Sequence, residues 1–222
     1  QAAANKITFT ATKVLTVSGN YTQFAGMTVT GTGTLIINAA ATIASGTVTF
    51  PGALTLSGTG TVVLNGSWIN TSLVTNSGGT KILNWTTNET LTCNGGYTAT
   101  SIISGTTSII LGGGTWSGTG AISNNLTIQP EAANVIVSGT VAYNTGILAF
   151  IASGSGKTIT TTGSTLTIGG SCTLNTSGMS WNIAIFSVVM TVTLSSNFTC
   201  ASLTLQTGPQ IINGNSLQCD AF

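Results

Sequence analysis

Along most of the chain, apolar and polar residues alternate at every second position in short runs, and each run closes on Gly, Asn or Ser. Leu54-Thr-Leu-Ser57, Thr165-Leu-Thr-Ile168 and Met190-Thr-Val-Thr-Leu194 are typical. A period of two sends alternate side chains to opposite faces of an extended chain, so each run reads as a half-buried strand. Thr, Val and Ile dominate these runs, as a pleated and partly buried surface favours. The helical spacing i, i+3, i+4, i+7 is absent, and 29 Gly with many Asn-Gly, Ser-Gly and Gly-Gly pairs would interrupt any helix. The pattern predicts an all-β fold of short strands, with helix content close to zero.

An internal repeat sharpens this. Met27-Thr-Val-Thr-Gly-Thr-Gly-Thr-Leu-Ile-Ile-Asn38 aligns with Leu54-Thr-Leu-Ser-Gly-Thr-Gly-Thr-Val-Val-Leu-Asn65, an offset of 27 residues. Upstream, Ser18-Gly19 matches Ser45-Gly46, so the clearest repeats are 12–38 and 39–65. Weaker echoes follow at Trp116-Ser-Gly-Thr-Gly120 and Val135-Ile-Val-Ser-Gly139. Units of this length fit the coils of a β-solenoid (parallel β-helix-like), each burying its inner face only against its neighbours. In that register Val29, Leu35 and Ile37 would stack on Leu56, Val62 and Leu64. A β-sandwich or jelly roll is the alternative, because closely spaced turns suit it too. The expectation for residues 1–222 is a single elongated repeat domain, read as a segment of a longer chain.

Composition narrows the function. Charged residues are 3% of the chain against about 25% in an ordinary domain, while hydrophobic residues are 41%, too many for a disordered polar tract. The surface must therefore be Thr, Ser, Asn and Gly. A net charge of +1 gives no field to steer the chain to nucleic acid. No apolar run approaches the length of a membrane-crossing helix, and aromatic girdles of an outer-membrane barrel are not evident.

Catalytic chemistry has little to work with. There is no His, which removes the imidazole base and the usual zinc ligands. Glu89, Glu131 and Asp220 are the only acids and lie far apart in sequence, a poor start for paired-carboxylate hydrolysis. Leu111-Gly-Gly-Gly-Thr115 and Ser153-Gly-Ser-Gly-Lys-Thr158 evoke a phosphate loop. The first lacks the Gly-Lys-Ser/Thr ending, and the second has Ile151 where a Gly is required. We therefore expect no enzyme, no catalytic, cofactor-binding or metal site, and no cofactor. The four Lys read as solvated surface positions. Cys93, Cys172, Cys200 and Cys219 contain no C-x-x-C pair. Cys200 and Cys219 are one coil apart: either a disulfide, which needs an oxidising compartment, or two buried thiols. Eight Asn-x-Ser/Thr sequons, at Asn20, Asn65, Asn70, Asn84, Asn88, Asn125, Asn175 and Asn197, are close to what the composition produces unaided. Thr-x-Thr pairs such as Thr28/Thr30, Thr32/Thr34 and Thr59/Thr61 raise ice binding, but in the 27-residue register they fall out of line after residue 65.

Leu54-Thr-Leu-Ser-Gly-Thr-Gly-Thr61, Thr165-Leu-Thr-Ile-Gly-Gly170 and Leu194-Ser-Ser-Asn-Phe-Thr-Cys-Ala-Ser-Leu-Thr-Leu205 resemble two groups of Thr/Asn/Gly-rich β-repeat proteins. One is the phage fibre and virion-decoration proteins; the other is bacterial surface adhesins and filaments. The resemblance is compositional. It implies a structural or adhesive module at a virion or cell surface, hence an extracellular or virion location. The implied partners are copies of itself, other surface proteins or host-surface glycans. A secreted filament subunit exchanging a strand through Ile7–Val17 is the runner-up. So few charges leave sheet edges unprotected, which predicts a homo-oligomer or polymer.

Overall fold

The computed structural model describes residues 6–18, 21–23, 28–43, 48–85, 89–151, 155–177, 179–208 and 210–221. Met27, the Ser45-Gly46 match, Ser153-Gly154, and the Asn20 and Asn88 sequons lie outside these residues. Among the described residues there is no helix, and no helix is long and apolar enough to cross a membrane.

Every strand pairing is parallel, and each joins a strand to its counterpart one coil later. The protein is a β-solenoid. Its strands line three sides in rotation. The first side carries a nine-stranded sheet running from Val48–Phe50 to Gln210–Gly214, preceded by the pair Lys6–Phe9 and Thr28–Gly31. The second side is an eight-stranded sheet from Val14–Val17 to Ile159–Thr160, and the third an 11-stranded sheet from Tyr21–Gln23 to Leu217–Ala221. Parallel stacking with a coil between partners excludes the sandwich and jelly-roll alternatives, which rest on antiparallel pairing.

The coil is shorter than the sequence repeat. Leu35 pairs with Leu54 and Ile37 with Leu56, 19 residues on, not with Val62 and Leu64 as the 27-residue register implied. Val62 and Leu64 instead pair with Ala41 and Ile43 on the third side. An offset of 27 thus relates the second side of one coil to the third side of the next: one coil plus one side. The physical reason is that all sides obey the same in-and-out rule, so a strand resembles its neighbour round the corner as much as the strand stacked on it. Coil length also drifts, from 17 residues (Ile109 to Leu126) to 26 (Gly146 to Cys172).

Inward side chains form ladders along the axis. On the first side Leu91, Ile109, Leu126, Leu148, Leu174 and Leu194 are stacked and buried. On the second, Leu35, Leu54, Val74, Tyr97, Trp116 and Val137 do the same. Each such side chain removed from water contributes about 1.5–3 kcal/mol, and only a neighbouring coil can supply the cover. Buried Asn residues close the corners: Asn70 Nδ2 donates to the Gly52 and Ser72 carbonyls, and Asn76 Nδ2 to Ser101.

Lys81 departs from expectation. It is fully buried rather than a solvated surface lysine, and its Nζ donates to the carbonyls of Ala39 (3.1 Å) and Thr59 (3.2 Å). It therefore ties three successive coils at the corner between second and third sides. Desolvation holds its ammonium below the usual lysine range.

Towards the C-terminal coils the cross-section changes. Among the described residues the second side has no separate strand after Ile159–Thr160. Instead Ser180–Phe186 and Phe198–Leu205 are long strands whose register runs on either side of Asn182 and Ala201.

Candidate functional site

The corners give a repetitive solenoid its surface relief. Where the chain passes from third to first side, three successive corners are only two residues long: Thr106-Thr107, Asn124-Asn125 and Asn144-Thr145. Gly105 makes the first of these tight turns with φ +134°, and a Cβ there would lie 1.8 Å from the Leu83 carbonyl oxygen. That oxygen accepts from both Thr106 N and Thr107 N, which locks the corner down. The next corner on the C-terminal flank, 169–171, is one residue longer. A groove of about 300 Å³ lies over the short corners.

Trp85 borders this groove at its N-terminal end. The alternation places Trp85 at an inward position, in register with Leu64, but it is the last residue of its strand and only half-buried. The other three tryptophans, Trp68, Trp116 and Trp181, are almost completely buried. Beyond Trp85 the lining is neutral and polar: Thr106, Ser123, Asn124, Asn125 and Thr145. Asn124 Nδ2 donates to the Thr107 carbonyl and Tyr143 Oη donates to the Asn124 carbonyl. Asn124 Oδ1 is buried and left without a donor. Asn125 Oδ1 accepts from Ile147 N, and Asn84 Oδ1 from Thr106 Oγ1, so the amides are fixed in place. The groove holds no acid or base.

A second cavity, of about 320 Å³, lies at the corner from first to second side. There the connection at 129–134 runs to six residues. Phe150, Ile151, Ile159, Pro130 and Met179 line it, with Lys157 at its mouth. It is chiefly apolar.

The residues singled out from sequence are dispersed. Glu89 precedes the first-side strand Thr90–Cys93, Glu131 follows the first-side strand Leu126–Ile128 two coils further on, and Asp220 lies on the last third-side strand. Among the described residues no group of three or more His, Cys, Asp or Glu could hold a metal ion. Leu111–Thr115 passes through a first-to-second corner with Gly114 at φ +77°, a solenoid turn. Cys200 and Cys219 are direct register partners on adjacent coils, and all four cysteines are unbonded in this structure. Burial, with Cys219 alongside, pushes the Cys200 thiol up to about 12, and burial does the same to Cys172. Neither is a ready nucleophile.

No family model matches the chain, nor does any curated protein or solved structure. The site therefore has to be read from its own chemistry.

The Thr-x-Thr pattern looks different on the true coil period. Thr55, Thr75, Thr98, Ser117 and Ser138 form one outward column on the second side, one hydroxyl per coil. Thr98 Oγ1 and Ser117 Oγ are hydrogen-bonded at 3.0 Å. In the 27-residue register this column was invisible, because that offset moves from one side to the next.

Proposed function

We propose that the chain is a structural and adhesive module, not an enzyme: part of a virion fibre or decoration protein, with a secreted filament subunit or surface adhesin as the alternative. The observation that carries this reading is how the fold uses its residues. Interior positions are consumed by axial packing, the few ionisable groups are scattered along the axis or buried, and the outward surface is a near-neutral array of hydroxyls and amides. Such an object is a stiff spacer with a large side surface. The last described strands, Gln210–Gly214 and Leu217–Ala221, carry one charge between them, Asp220. Strands so lightly charged do little to discourage pairing with further β-structure, whether continuing chain or another copy. Electron microscopy of the native material tests the reading. Fibres, filaments or a coat on particles are expected; a well-dispersed monomer in light scattering, with no particle or cell-surface association, would sink it.

A second reading, ice binding, is favoured by the hydroxyl column of the second side. Rungs about 4.8 Å apart present a regular hydroxyl lattice. Measurement of thermal hysteresis separates the two readings. A freezing-point gap abolished by Thr75→Leu and Thr98→Leu would favour ice, and no gap would leave the adhesive reading alone.

A further inference from the structure

We infer that the groove over the short third-to-first corners is a binding site for a neutral saccharide, with Trp85 as its apolar platform. The inference rests on the adhesive reading and names its ligand class. Four features of the groove converge on this chemistry.

The first is shape. The lining comes from four successive coils (Trp85, Thr106, Asn125 and Thr145), so the groove runs along the axis over three rungs of about 4.8 Å each. Its volume of about 300 Å³ is at the lower end for small-molecule sites and suits a short oligosaccharide. The second is charge. No Lys, Asp or Glu lines it, so nothing there would recognise a phosphate, a sulfate or a carboxylate.

The third is the pairing of one indole with many neutral hydrogen-bonding groups. A pyranose ring offers an apolar C–H face and a rim of hydroxyls, each both donor and acceptor. Trp85 supplies a large apolar surface, and it is the only tryptophan not almost completely buried. Ser123 and Thr145 supply hydroxyls to the lining, and Asn125 supplies an amide. The fourth is rigidity. The amides of Asn84 and Asn125 and the Asn124 backbone are already held by Thr106, Ile147 and Tyr143, so little ordering remains to be done on binding.

The apolar cavity at the opposite corner lacks this combination: it has no tryptophan, and a lysine stands at its mouth. A peptide is a poorer fit to the groove, since no sheet edge is open there for backbone pairing.

The test uses the whole chain on an array of neutral, sialylated and sulfated oligosaccharides. Titration of the best neutral probe follows, read by tryptophan fluorescence. Neutral probes should bind in preference to charged ones, and the emission change should come from Trp85. Trp85→Ala should weaken binding more than tenfold, Trp85→Phe should restore most of it, and Thr145→Lys should block the groove from an exposed position without disturbing the fold. Binding that survives both Trp85→Ala and Thr145→Lys would overturn the site, as would preference for sulfated or sialylated probes, or no binding to any neutral probe. If the array is blank while microscopy shows fibres or decorated particles, this inference falls and the structural reading stands. If neutral sugars bind to a dispersed monomer, the assembly reading fails and the site remains.

Discussion

The corner from third to first side and the corner from first to second side enclose the same interior, yet they present opposite surfaces. One is cut to two residues on three successive coils and leaves a neutral polar groove beside Trp85. The other grows to six residues at 129–134 and borders an apolar cavity. The rungs beneath are alike: Leu126 and Ile128 are both buried on the same first-side strand, one towards each corner. The difference shows where a solenoid can vary. Strand positions are fixed by the rungs above and below, whereas a corner residue is constrained on its inner side alone, so length and chemistry accumulate there.

The largest expected effect tests whether both corners seal the interior equally. Cys93 lies at the first-side strand end leading into one corner, and Cys172 begins the first-side strand after the other. Burial raises both thiols, Cys172 to about 12. A group whose folded pKa is raised contributes stability that is complete below its unfolded value and fades above it. Stability should therefore fall from about pH 8.5 upward, by about 2 kcal/mol per thiol at pH 10, or about 4 kcal/mol for the pair. Urea unfolding at pH 7, 8.5 and 10 checks this, with Cys93→Ala and Cys172→Ala as single variants. Each variant should remove about 2 kcal/mol of the fall; if only one does, the corner above the other thiol is leaky, and the likeness of the two interiors is broken.

The next effect separates the corners themselves. Gly105→Ala places a Cβ against the Leu83 carbonyl in a left-handed conformation and should cost about 3 kcal/mol or more. Gly156, leading into the second-side strand Ile159–Thr160, has φ +74° but nothing within 4 Å of an added Cβ. Gly156→Ala should cost only the left-handed penalty, about 1 kcal/mol. Equal costs in denaturant melts would mean that the short corners are no more constrained than the long ones.

This contrast also shows what the sequence could and could not disclose. Period-two alternation at Leu54–Ser57 and Thr165–Ile168 reports burial directly, so fold class and inward residues such as Leu35, Leu56 and Val62 were legible. Stacking was not, because identical side patterns make a shift by one side nearly invisible, and the 27-residue echo followed that shift. The groove was hidden for a related reason: Trp85, Ser123 and Thr145 are brought together by coil lengths that vary corner by corner. Lys81 was missed because a lone lysine among neutral residues gives no sign that two carbonyls await it. A hint existed, since Lys81 stands where alternation calls for an inward residue, two before Leu83.

At the remaining corner, Lys81→Ala removes both hydrogen bonds and leaves the carbonyls of Ala39 and Thr59 without this partner. A loss of about 2 kcal/mol is expected. Its pH dependence runs opposite to that of the thiols. The lowered folded pKa means that the folded state sheds its proton first, so this lysine adds stability as pH rises towards about 10.4, the unfolded value. Wild type minus Lys81→Met, measured at pH 7 and pH 10, isolates the slope. A difference that stays flat would show that the ammonium is solvated and that this corner, too, is open.

The smallest effect bears on function most directly. Lys157 and Thr145 are both exposed, one at the mouth of the apolar cavity and one in the groove. Neither contributes to packing, so Lys157→Ala and Thr145→Lys should each change stability by no more than about 0.5 kcal/mol. On stability alone the two corners would look the same. Binding should tell them apart: Thr145→Lys removes saccharide binding, and Lys157→Ala leaves it untouched. The reverse result would move the binding surface to the long corner, where apolar contact and one positive charge would select an anionic ligand instead of a neutral one.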